Sequence, residues 1–232
     1  MQARGSYLVI RQGDPAIQLA RLLVETGAEL ITAEEDYSPF AVRRDAMLAS
    51  SLPISFTPGL TVHHPSEIVK SDGSPYTVFT PFSRAWQNLP SPNFGDILTA
   101  PEHIHTPSGI SSDRVPVNPA QPEASPFPAS AAEANRRLDA FINQSSGRIF
   151  SYKQDRDRPD LHATSGLSPY FRFGLISARQ AAAAAISAIQ SAPNSTAAAS
   201  AQTWLNELIW REFYQAILYH YPSVRSHSFR QE

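Results

Sequence analysis

The sequence predicts an α/β domain, with a partial parallel sheet and flanking helices, followed by a domain built only from helices. Over residues 8–51, apolar runs alternate with helix signals in the order strand, helix, strand, helix, which is typical of a parallel sheet with helices packed on it. The C-terminal part differs: residues 181–202 are alanine-rich, and apolar side chains then recur at spacings of three and four. These two patterns define the predicted fold class.

Local signals mark the elements of the N-terminal half. The first two predicted helices start at a polar cap residue followed by proline, because the cap side chain bonds a free backbone N–H and proline has none to lose. In chain order we predict a strand at residues 8–10, a helix from Asp14 and Pro15 to Gly27, a strand at 30–33, a helix from Ser38 and Pro39, a turn at 71–74 and a helix carrying Trp86.

A stretch rich in Pro, Ser, Asn and Gly separates the two patterns and has little periodicity. We therefore predict an α/β domain at 1–88, an interdomain connector at 89–130 and a helical domain at 131–232. Within the helical domain, Ser177 is the predicted cap of one helix. Pro193 and Asn194 form the turn to a second helix that continues through Trp204.

Composition excludes several function classes. The 232 residues contain no cysteine, which excludes a disulfide framework and thiolate chemistry, and no signal peptide or membrane-length apolar run is present. We therefore expect a cytoplasmic protein with no membrane partner. The net charge of −2 gives no overall positive charge that would indicate nucleic-acid binding, but it does not exclude a basic groove on one part of the surface. No metal site is predicted, because the histidine pairs at His63 and His105 lack further ligands.

The first chemically informative block, at residues 156–177, carries hydroxyls at Thr164, Ser165 and Ser168 just before a predicted helix start. Ser168 followed by Pro169 is a good N-cap and N1 pair, so free backbone N–H groups would face an anion such as phosphate. The alternative is that these hydroxyls only cap and turn the chain.

The second block, at residues 204–218, places Trp204, Glu207, Arg211 and Tyr214 along one side of a helix. One interpretation is that Glu207 and Arg211, at positions i and i+4, form an ion pair with each other, and that the tryptophans are ordinary core residues. The other is that a carboxylate, a guanidinium and indoles line a cavity for a flat aromatic ligand, such as a flavin or a flipped base.

The order and separation of these residues resemble the DNA photolyase/cryptochrome family, and cyclobutane pyrimidine dimer photolyases in particular. The resemblance implies that the helical domain binds FAD. The cofactor-binding positions it implies are Tyr152, Thr164, Ser165, Leu167, Ser168, Trp204 and Arg211. The DNA-binding positions it implies are Arg156, Glu207, Trp210, Arg211 and Tyr214, with Glu207 and Trp210 as catalytic residues beside the flipped dimer.

By this resemblance the chain is an enzyme, a carbon–carbon lyase that uses blue light and FAD to repair pyrimidine dimers in DNA. Three alternatives stay open: a cryptochrome-type blue-light photoreceptor, an inactive photolyase remnant, and, ranked last, an adaptor or binding protein of unrelated ancestry, which would require the spacing of the two blocks to be coincidental. Light-dependent repair would separate the first from an enzyme, and failure to retain flavin would identify the second.

The sequence also departs from the family pattern. Photolyases usually carry arginine where this chain has Gly166, which removes a cation near the cofactor phosphates. Phe40 and Ala41 stand where some folate-binding relatives carry an Asn-Glu pair, so the antenna chromophore is unknown and a folate type is not expected. Intact members begin earlier and continue beyond the Trp204 helix, so we expect a fragment truncated at both ends.

Overall fold

The computed structural model describes residues 4–114, 125–143 and 147–229, and these divide into two compact units. The first unit comprises residues 1–57 and 98–125, and the second comprises 58–97 and 126–232. Parts of the predicted α/β domain (1–3), connector (115–124) and helical domain (144–146 and 230–232) lie outside the described residues. The predicted boundaries at 88 and 130 stay a prediction about domain organisation.

The first unit contains a two-stranded parallel sheet. Strand β1 (Ile31–Glu34) pairs with β2 (Ile54–Thr57), with Ile31 opposite Ile54. Helix α1 (Pro15–Thr26) precedes β1, and α2 (Pro39–Ser51) connects the strands. A crossover helix between parallel strands is the connection that this pairing requires.

Both helices of the first unit start where the sequence predicts. The Asp14 carboxylate accepts from the backbone N–H of Ala16 at 2.9 Å, and the Ser38 hydroxyl accepts from that of Ala41 at 3.4 Å. Gly27 ends α1 with a φ of 67°, a left-handed conformation that glycine adopts at little cost.

The strand predicted at residues 8–10 was wrong, because the structure has no strand there. Its backbone bonds a distant segment instead: Ile10 N–H donates to the Ser112 hydroxyl at 2.9 Å, and Ile10 C=O accepts from Asp113 N–H at 2.8 Å. Leu8 is 64% exposed, so the apolar run is not a buried strand. Part of the predicted connector thus packs against the N-terminal segment.

The second unit is helical. Its α-helices are α3 (Phe79–Asn88), α4 (Ala131–Ile142), α5 (Tyr152–Asp155), α6 (Ser168–Arg172), α7 (Ala178–Gln190) and α8 (Ser195–His220), with short 3-10 helices at Pro65–Glu67, Phe94–Asp96, Arg148–Phe150 and Pro222–Arg225. The predicted cap at Ser177 and the turn before α8 are both present, with Asn194 accepting from Ala197 N–H at 2.9 Å.

Helix α8 is the central element of the second unit. Its buried residues extend from Ala197 to Ile217, and α3, α5 and α7 all pack against it. Five consecutive alanines of α7, at residues 181–185, are buried, because a small side chain lets two helices approach closely. The described residues therefore form the predicted fold class, an α/β part followed by a helical part. Among them no helix is long and apolar enough to cross a membrane.

Candidate cofactor and substrate site

The hydroxyl-rich loop at residues 164–168 lies at the surface of the second unit. Thr164 and Ser168 are exposed and Ser165 is half-buried, whereas Leu167 is 1% exposed and anchors the loop in the core. Ser168 was predicted as the N-cap of the next helix, but that was wrong. The helix begins one residue earlier than predicted. Leu167, with φ −91° and ψ −8°, is at the N-cap position, and Ser168 is the first residue of α6.

The three hydroxyls of this loop have no hydrogen-bond partner among the described residues, so they are not used in caps or turns there. Hydroxyls that can donate suit a phosphate, which offers several acceptor oxygens. This donor set fits a phosphate-containing ligand better than the alternative of simple capping.

The predicted flavin contacts Tyr152 and Trp204 belong to the same hydrophobic core as Leu167 of the loop. They are 8% and 3% exposed, and the Phe141 ring lies between them, with centroids at 5.9 Å and 5.0 Å respectively. Burial raises the pKa of Tyr152. Ser200 of α8 holds α5 in place, since its hydroxyl accepts from Lys153 N–H at 3.0 Å. A flavin contact at either aromatic residue stays a proposal.

Glu207 and Arg156 form an ion pair between α8 and the end of α5. Both side chains are about one-third exposed, at 38% and 34%. The hydrogen bond that Arg156 donates to the Glu207 carboxylate raises the pKa of Arg156. The interpretation in which Glu207 pairs with Arg211 was therefore wrong: Arg156, 51 positions away, reaches the carboxylate through the packing of α5 on α8.

Arg211 links α8 to two other segments. Its Nη1 donates to the backbone C=O of Leu60 at 2.6 Å, and its guanidinium lies 5.6 Å from the centroid of the Phe171 ring in α6. This contact brings α6, the helix that follows the hydroxyl-rich loop, against the α8 residue one turn beyond Glu207. The sequence blocks that are far apart in the chain are thus neighbours in the second unit.

Trp210 lies in an aromatic cluster near the surface. Its ring is parallel to that of Phe79 from α3, with centroids 3.6 Å apart and an interplanar angle of 4°. The exposed Tyr214, one turn further along α8, lies 5.7 Å away at 25°. One face of the Trp210 indole is thus covered by Phe79, and the Tyr214 ring is also nearly parallel to it.

Glu212 is a buried carboxylate that the sequence analysis missed. It is 2% exposed, and it accepts from Val62 N–H at 2.6 Å, from Trp86 Nε1–H at 2.7 Å and from His63 N–H at 3.5 Å. Burial raises the pKa of Glu212 to about 7. Its spacing from Leu205 and Leu208, on the apolar stripe of α8, was the signal that could have identified it as buried.

The chain matches known proteins over almost its whole length. The family model for DNA photolyase matches residues 1–102. A deoxyribodipyrimidine photo-lyase from Halobacterium salinarum is 35% identical over 97% of this chain and 48% of its own length. A class III photolyase structure from Agrobacterium tumefaciens superposes with a TM-score of 0.84 at 27% identity, covering 99% of this chain and 48% of that one.

A second solved structure shows the same fold at a greater sequence distance. The cryptochrome of Synechocystis superposes with a TM-score of 0.76 at 19% identity, over 95% of this chain and 47% of that one. The chain belongs to the DNA photolyase/cryptochrome family, as the motifs predicted. It spans about half the length of the curated relatives that it matches.

Proposed function

We propose that this chain binds FAD and acts in the light-driven repair of cyclobutane pyrimidine dimers in DNA. The observation that carries the proposal is the contact between Arg211 and Phe171, which brings α6, the helix that follows the hydroxyl-rich loop, against α8. The hydroxyls of the loop are suited to phosphate, and the side chains of the α8 face are suited to a flat polar ring. The related deoxyribodipyrimidine photo-lyases and the class III photolyase support this assignment.

The proposed cofactor site is the hydroxyl-rich loop with the core aromatics behind it. Thr164, Ser165 and Ser168 would donate to the diphosphate of FAD, and Leu167 holds their backbone in place. Tyr152, Trp204 and Arg211 complete the proposed contacts. The chemistry that FAD supplies, when bound and reduced, is the light-driven transfer of one electron.

The proposed substrate face is formed by Glu207, Trp210 and Tyr214 of α8. Glu207 can accept hydrogen bonds from the N–H groups of a flipped pyrimidine, and its Oε2 has no partner in the part of the chain that the structure describes. Arg156 fixes the orientation of that carboxylate and is proposed to meet the DNA backbone. Trp210, whose ring stacks on Phe79, is proposed to meet the lesion together with Tyr214.

The first test is whether the purified chain shows the visible absorption bands of bound flavin. If it does, illumination in the presence of an oligonucleotide containing a thymine dimer should restore intact thymines, measured by chromatography of the DNA. Glu207→Gln should slow this repair, because an amide accepts hydrogen bonds more weakly than a carboxylate. Asp139→Asn removes an exposed carboxylate on α4 and should leave repair unchanged. A chain that binds no flavin would overturn the proposal.

A further inference from the structure

The space around Gly166 is already occupied by an arginine from another element. Gly166 has a φ of +64°, and a Cβ built there would lie 2.9 Å from Nη1 of Arg137. The guanidinium of Arg137, on α4, therefore lies where a side chain at residue 166 would begin.

Arg137 is held in that place by four neighbours. Its Nε donates to the Glu133 carboxylate at 2.8 Å, and its Nη2 donates to the backbone C=O of Pro126. Its guanidinium lies 4.9 Å from the centroid of the Phe127 ring and 5.5 Å from that of Tyr170. Such fixed geometry lowers the entropy that a guanidinium loses when it binds an anion.

One nitrogen of this guanidinium is available for a ligand. Nη1 has no hydrogen-bond partner within the described ranges, and it is the nitrogen that faces Gly166. The neighbouring hydroxyls of Thr164, Ser165 and Ser168 are also unpartnered there. A cationic N–H donor and three hydroxyls therefore lie on or beside the same short loop.

The charge at this place is net positive. Arg136 and Arg137 share the single carboxylate of Glu133, with Nε–O distances of 2.7 Å and 2.8 Å. Hydrogen bonds from Arg136 and then Arg137 lower the pKa of Glu133 to about 2, so it stays ionised at neutral pH. Two guanidinium groups and one carboxylate leave one uncompensated positive charge, which favours an anion.

We infer that Arg137 supplies a cation to this loop from α4 and binds the diphosphate of FAD there. The inference rests on the proposed function and deepens it, since it names a cofactor-binding residue outside the motif. A phosphate could also come from the DNA backbone, but the hydroxyls beside Arg137 are those proposed for the cofactor, so the diphosphate is the expected ligand.

The test compares FAD with riboflavin, which has the same ring and no phosphate. Binding is measured by quenching of flavin fluorescence for the wild-type chain and for Arg137→Gln. We expect Arg137→Gln to bind FAD about tenfold more weakly, because it loses one charge-assisted hydrogen bond. Riboflavin affinity should not change. The matched control is Arg136→Gln, which removes the same charge beside Glu133 from a side chain that is 66% exposed.

Each outcome decides the inference. Equal FAD affinity for the wild type and Arg137→Gln overturns it while leaving the proposed function intact. An equal loss of affinity for FAD and riboflavin also overturns it, because it shows a packing role only. A variant that binds undamaged DNA more weakly but keeps its FAD affinity overturns it too, because Arg137 then meets a phosphate of the DNA backbone. A wild-type chain that binds neither flavin overturns the proposed function together with the inference. If Arg137→Gln does not fold, Arg137→Lys replaces it, and a selective but smaller loss of FAD affinity supports the inference.

Discussion

Glu212 is the residue with the strongest predicted effect on stability. Its pKa of about 7 in the folded chain lies above the ordinary value of 4.5, so the folded state keeps a proton that the unfolded chain has released between these pH values. The free energy of unfolding should therefore fall as the pH rises from 4.5 to 7, by about 3 kcal/mol in total from this residue.

Urea unfolding at pH 5 and at pH 7.5 would measure that effect. Glu212→Gln should lose the dependence on pH in this window, and at pH 5 it should be less stable than the wild type because its NH₂ group faces N–H donors. Asp139→Asn, at an exposed position, should keep the wild-type dependence. The same pH dependence in the wild type and Glu212→Gln would contradict the prediction.

Arg156 has two proposed roles that one variant separates. If it contacts a DNA phosphate, Arg156→Gln should lower the slope of log affinity against log salt by about one, for damaged and undamaged DNA alike. This is the result we expect, measured by fluorescence anisotropy over a series of salt concentrations. An unchanged slope with a loss of preference for dimer-containing DNA would show that Arg156 acts only by orienting Glu207. The variant itself should cost less than about 1 kcal/mol of stability, since the ion pair is partly exposed.

Helix α7 packs on α8, and its alanines lie in the core of the second unit. Ala184 is 0% exposed, so Ala184→Leu should overpack the core around α7 and lower the free energy of unfolding by about 1–3 kcal/mol. Ser187→Leu inserts the same side chain at an exposed position of α7 and should change stability little. Thermal unfolding followed by circular dichroism would compare them, and equal melting temperatures would refute the prediction.

The first unit leaves several large apolar side chains exposed, which bears on how the whole molecule behaves in solution. Helix α1 has no buried residue, and Val24 on it is 86% exposed. Exposed apolar surface of this kind favours association. We expect self-association that increases with concentration, measured by analytical ultracentrifugation, and we expect Val24→Glu to reduce it. Ser50→Glu adds the same charge at an exposed polar position of α2 and is the control. A wild-type chain that stays monomeric at all concentrations would contradict this prediction.

The helix starts were predictable because their causes are local. Asp14, Ser38 and Ser177 each bond a backbone N–H within three residues, and proline after the first two sets the helical dihedral. The same is true of the turn before α8. The family motifs were also readable without a structure, since they are defined by residue types at fixed spacings.

Contacts between distant residues were not predictable in this way. The chain pattern offered Arg211 as the neighbour of Glu207, yet Arg156 pairs with it, and Arg137 fills the space beside Gly166. The apolar run at residues 8–10 had the composition of a strand, but its backbone bonds residues 112 and 113. Capping and periodicity act over a few residues, so sequence is enough to place them, whereas the partner of a charge or an open backbone group is decided by which segments pack together.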